Sequence, residues 1–145
     1  MTSPLDLFQA RRVAQGVART DVTVKQAYGR SLAERLGFNP GAAGADGGID
    51  GWLEWDSVRA LFFCRLSAKP LGVKDAREFV AVLIKTRATL GLVVSAFAGY
   101  APRFEAEVLD TLAGAELSPS VHLLRLQDVL AETAAFDALR SDLAP

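Results

Sequence analysis

Two carboxylates stand four residues apart in the glycine-rich run Asp46-Gly47-Gly48-Ile49-Asp50-Gly51. A carboxylate at the entry of a strand, behind glycines, offers a hard oxygen donor to an approaching phosphate. Mg2+ takes one or two such carboxylates together with waters and phosphate oxygens. Glycine lets the backbone come close and adopt positive φ. Asp50 directly precedes a strand pattern and is the residue expected to hold a metal. Asp46 is expected to cap or turn the loop. The same string could also serve as a simple turn that positions a hairpin. It lacks the alternating carboxylates and terminal Glu of an EF-hand loop.

Elements on either side must position Asp50. Residues 5–19 and 22–36 carry apolar residues at helical spacing, and Gly37 ends the second helix. Residues 39–48 hold Pro40, Gly41, Gly44, Gly47 and Gly48 and read as a loop. Ile49 to Trp55 alternates as a strand, Asp56-Ser57 is a tight turn, and Val58 to Ser67 is a second strand, so the pair forms a hairpin. Val73 to Thr89 is an amphipathic helix with Ala76, Phe79, Val80, Leu83 and Ile84 on one face. Leu90 to Ser95 is a continuous apolar run, as in a strand buried on both sides. Helix 102–113, strand 121–126 and helix 126–139 complete the chain. This order predicts an α/β fold, a central mixed sheet of about four to five strands with helices on both faces.

The chain has 145 residues, half of them hydrophobic, with a mean hydropathy of +0.20. That is enough for one domain over 1–145, with 1–21 as an N-terminal helical extension and 22–139 as the core. No apolar stretch reaches the roughly 18 residues of a membrane span, and no secretory leader pattern is evident. Cys64 is the sole cysteine and His122 the sole histidine. An internal disulfide is thereby excluded, a zinc site is disfavoured, and a reducing cytoplasm is expected. Net charge is -1, unevenly spread. Residues 1–103 hold 14 Lys/Arg against 9 Asp/Glu, and residues 104–145 hold 2 against 8. A basic front and an acidic back suit a protein with one face toward phosphates, although solvated charges can also cluster by chance.

Gly44-Ala45-Asp46-Gly47-Gly48-Ile49-Asp50-Gly51 resembles the G-x-D-G-G-I-D-G signature of the Mrr-type restriction endonuclease domain, in the PD-(D/E)xK nuclease superfamily. The likeness continues through Leu71 to Phe79, Gly91 to Phe97, Ala101 to Val108 and Val121 to Leu130, about residues 24–135 in all. It implies a restriction-endonuclease-like fold and a Mg2+-dependent phosphodiesterase acting on DNA, with Asp50 as metal ligand. It also implies a (D/E/Q)-x-K triplet on the next strand, whose middle residue points away because strand side chains alternate. The triplet falls on Cys64-Arg65-Leu66, with Cys64 and Leu66 expected toward Asp50 and Arg65 away. A thiol is a poor magnesium ligand, and leucine carries no charge. The resemblance therefore implies a degenerate nuclease serving as a DNA-binding or interaction module. The alternative is an active endonuclease with its lysine relocated to Lys69 or Lys74. A third use is scaffolding, as a homodimer or with a partner protein.

Other residues have plain and functional readings side by side. Lys69, Lys74 and Arg77 could meet DNA phosphates or form a solvated face. Trp52 and Trp55 could stack on bases, though covering the hairpin is their more usual role. His122 reads as structural, and Cys64 as a buried, inert thiol.

Overall fold

The structure is a computed structural model and describes residues 4–40 and 49–144. Two helices come first, α1 (Leu7–Ala18) and α2 (Val22–Arg35). Each starts on an aspartate: Asp6 accepts the Gln9 N–H at 2.8 Å and Asp21 the Val24 N–H at 2.9 Å, satisfying amide groups that the first turn leaves unpaired. There follow β1 (Asn39–Pro40), β2 (Gly51–Trp55), β3 (Val58–Arg65), α3 (Val73–Thr86), β4 (Leu90–Ser95), α4 (Phe104–Gly114), β5 (Ser120–Arg125), α5 (Leu126–Ala131) and α6 (Ala134–Leu143).

The expected α/β architecture is the one observed. One five-stranded mixed sheet runs in the order β1-β2-β3-β4-β5. β1, β2 and β3 are antiparallel neighbours, while β3, β4 and β5 are parallel. The Asp56-Ser57 turn joins β2 to β3 with Trp55 opposite Val58. All six residues of β4 are buried, as its unbroken apolar run requires.

Each sheet face has its own core. On one face, Ala60, Phe62, Leu92, Val94 and Leu124 pack with side chains of α1, α2, α5 and α6. On the other, Leu61, Phe63 and Val93 meet Phe79, Leu83, Phe104 and Val108 of α3 and α4. Gly91 shows how tightly α3 sits. A Cβ there would lie 2.8 Å from both Leu83 Cδ2 and Phe79 Cζ.

Three expectations change. Residues 7–18 are not an extension: Ala10, Ala14, Val17 and Ala18 belong to the first core, and the Leu5 N–H donates to Leu130 O at 2.9 Å. Small residues at 10, 14 and 18 let α1 come close to α5. The last helix is two helices, because Glu132 adopts a left-handed φ of 50° that ends α5 before Thr133 starts α6. Asn39–Pro40, read as loop, pairs with Trp52 and Gly51 as a short edge strand. Two residues are too few to show a period of two.

Two glycines test this packing by opposite outcomes. Gly91→Ala is expected to destabilise the fold by about 1–3 kcal/mol, because the added methyl has no room. Gly16→Ala, inside α1 with nothing within 4 Å of the new Cβ, should stabilise by about 0.5–1 kcal/mol. Urea unfolding of both variants checks the pair.

Candidate functional site

Asp50 sits just before β2, where the antiparallel ladder with β3 runs out. Its backbone N–H still donates to Phe62 O at 2.8 Å. Its side chain then takes over from the ladder: Oδ2 accepts the Cys64 N–H at 2.7 Å. The same oxygen accepts from Arg65 Nη1 at 2.9 Å, forming an ion pair. Arg65 Nη1 also lies 2.9 Å from its neighbour's carbonyl, Cys64 O. The carboxylate and guanidinium thus lock the entry of β2 to the end of β3.

The structure reverses the expected orientation of the triplet. Arg65 turns toward Asp50, on the face of Phe63, with its guanidinium carbon 5.9 Å from the Phe63 ring centre. Leu66 points into the opposite core and is buried there. Cys64 shares that opposite side, close to Gly29 of α2, whose added Cβ would lie 3.4 Å from the Cys64 sulfur. Ala60 through Phe63 are buried on both faces, so apolar alternation gave no phase for the strand. A better signal was available: Arg65 is the only charge between Ala60 and Leu66, and such a residue needs a carboxylate partner.

Burial raises the Asp50 carboxyl above the usual carboxylate range. The Cys64 N–H and the Arg65 charge oppose that rise. Burial, reinforced by the Asp50 charge and opposed by Arg65, pushes the Cys64 thiol up to about 12. The thiol is therefore protonated at neutral pH.

Among the described residues, the Asp50 carboxylate is held by Cys64 and Arg65. Lys69 and Lys74 are exposed and do not contact it. Arg77 is engaged across α3 and α4 by Glu107 at 2.9 Å. Glu54, on the same strand as Trp52, pairs with Arg59. Trp55 packs against the first core, as expected of a hairpin cover, whereas Trp52 is 46% exposed. His122 Nε2 lies 2.7 Å from Asp142 of α6, which supports its structural reading. Asp46 lies outside the described residues. No group of three or more His, Cys, Asp or Glu among the described residues is placed to hold a metal ion.

The sheet's carboxyl edge carries more polar groups than the sequence suggested. Arg65, Ser95 and Arg125 are register partners on β3, β4 and β5. Ser95 Oγ is buried, 3.3 Å from both Ala96 O and Leu124 O. The Tyr100 hydroxyl lies 2.6 Å from Leu124 O and 2.9 Å from Val93 O. Burial also pushes this hydroxyl's pKa up, so it stays a neutral donor. Asp75 and Glu78 of α3 share a small hollow with Arg65 above Phe63 and Phe79. The Asp75 carboxylate also accepts the Gly72 N–H at 3.0 Å, capping α3.

No family model matches the chain, and no curated protein does. No helix among the described residues is long and apolar enough to cross a membrane.

Two measurements probe this edge. Arg65→Gln removes one of the groups that oppose the rise of the Asp50 pKa, so that pKa should move further up. A raised native pKa means that the stability held with Asp50 protonated is lost as pH rises through that value, and the variant shifts the loss to higher pH. Carbon-detected NMR titration of Asp50 reads this directly, and an unmoved pKa would contradict the pairing. For Cys64, a thiol near 12 rather than the ordinary 9.0 carries roughly 10³-fold less thiolate at pH 8. Its reaction with a chromogenic disulfide should be far slower in the native protein than in denaturant.

Proposed function

We propose that this chain is a degenerate Mrr-like nuclease-fold protein that binds DNA and whose phosphodiesterase activity is lost or much weakened. The Asp50–Arg65 ion pair carries this reading. A guanidinium occupies the carboxylate that the resemblance assigns to a metal.

The shifted strand phase also changes which residues stand at the triplet. Phe63 and Arg65 lie on the Asp50 side, so a triplet read on that side would have Phe63 at its acidic or amide position and Arg65 at its lysine position. A cation is therefore kept, and the second oxygen ligand is lost. The described residues do not fit Mg2+: the Asp50 carboxylate is already paired beside a phenyl ring, and no group of three or more His, Cys, Asp or Glu among them gathers there. Phe63, Cys64 and Leu66 supply no hard oxygen. Nor is Arg65 a replacement for a lysine base, since a guanidinium keeps its proton at any pH a protein tolerates. Loss of such groups costs about 10² to 10⁴ in rate each.

DNA as partner rests on the resemblance and on the basic bias of residues 1–103. Phosphate contacts of this kind position a protein on nucleic acid without reading its sequence. The relocated-lysine alternative gains no contact between Asp50 and Lys69 or Lys74.

Purified protein incubated with supercoiled plasmid and Mg2+ or Mn2+ is expected to leave it uncut. It should retain a labelled duplex at low salt and release it steeply as salt rises. Cleavage that disappears in Asp50→Ala would overturn the proposal, and its further loss in Lys69→Ala would establish the relocated lysine. Absence of retention at any salt would remove DNA as the partner.

A further inference from the structure

Residues 104–145 contain two cations among eight acids. Arg140 is engaged twice, by Glu132 at 3.0 Å and Asp137 at 2.7 Å. Arg125 is different. Its guanidinium makes no hydrogen bond or ion pair with any described residue. The Asp128 carboxylate, three residues on, accepts the Arg125 backbone N–H and the Thr133 hydroxyl, each at 2.9 Å.

Yet the Arg125 side chain is seated. It lies against Gly99 in the loop after β4, where φ is +70°. A Cβ on Gly99 would come within 3.0 Å of Arg125 Cζ and 3.1 Å of Nη2. Bare backbone is what lets the guanidinium lie there. The loop itself is fixed: Gly99 N–H donates to Ala96 O at 3.1 Å, and Gly99 O accepts the Leu71 N–H at 2.9 Å. The fork of donors is thereby restricted before any ligand arrives, which lowers the entropy lost on binding.

Its position is equally specific. Arg125 is in register with Ser95 and, through it, with Arg65. Register partners in a parallel sheet point to the same face, and strands are about 4.8 Å apart, so the two arginine Cα atoms stand about 10 Å apart. Both leave the sheet at the carboxyl ends of parallel strands, where open α/β sheets bind their ligands. Arg65 is neutralised by Asp50, with Asp75 and Glu78 close by. Arg125 is the cation of this row that has donors to offer.

We propose that Arg125, seated on Gly99, binds a backbone phosphate of the DNA that crosses the Asp50–Arg65 edge. The inference rests on the DNA-binding reading above and assigns it a contact residue other than Lys69, Lys74 and Arg77, the candidates the sequence offers. A planar guanidinium pairs with two phosphate oxygens at once, a geometry lysine cannot reproduce.

The test is fluorescence anisotropy of a labelled random-sequence duplex with the full chain over a series of salt concentrations. Arg125→Ala should weaken binding several-fold at low salt, equally for unrelated sequences. It should also reduce the slope of log affinity against log salt by about one. Arg140→Ala, a change of equal charge, should leave both unchanged, and thermal melting verifies that each variant is folded. An unaltered slope in folded Arg125→Ala, with the wild type binding normally, overturns this inference and leaves the DNA reading standing. Equal losses in the two variants also overturn it, since the effect would then be general charge. A wild type that binds no duplex overturns both readings.

Discussion

Two-sided burial of the parallel strands constrains everything else in this protein. β4 is covered by helices on both faces, and Ala60 to Phe63 of β3 are buried beside it. No polar side chain can stand in the middle of such strands without a partner, because desolvation would cost several kcal/mol. Polar groups are therefore pushed to the strand ends. Asp50, Arg65, Ser95 and Arg125 all lie at one end of the sheet. The site is where it is because the rest of the sheet must be apolar.

At that edge the carboxylate has two structural duties. It receives the Cys64 N–H that β2 can no longer pair, and it balances the Arg65 charge. A carboxylate that holds a metal must be free to meet it. Here a guanidinium is paired with it, and Asp50 ties the entry of β2 to the end of β3. An aspartate at a strand entry is thus a poor guide to activity by itself, and the partner that faces it is a better one.

Much of the layout was legible from the chain. The periodicity of Ala76, Phe79, Val80 and Leu83 gave α3, and the apolar run of 90–95 gave a central strand. These signals are strong because each element buries a defined face. Where burial was two-sided, the signal failed. The phase of β3 is not legible in Ala60-Leu61-Phe62-Phe63, and Arg65 and Leu66 lie on the sides opposite to those the sequence predicts. The break at Glu132 was also hidden, because a left-handed glutamate leaves no composition signature.

The sequence by itself determined the classes and order of the elements, the position of Asp50 at a strand entry, and the uneven charge. Those follow from local propensity and from which residues avoid water. Tertiary structure alone decided that Arg65 is the partner of Asp50, that α1 belongs to the core, and that Arg125 rests on Gly99 sixty residues from Arg65 yet two strands away from it. Those relations depend on strand phase and register. Both are set by how distant segments pack, and neither is written in any one segment.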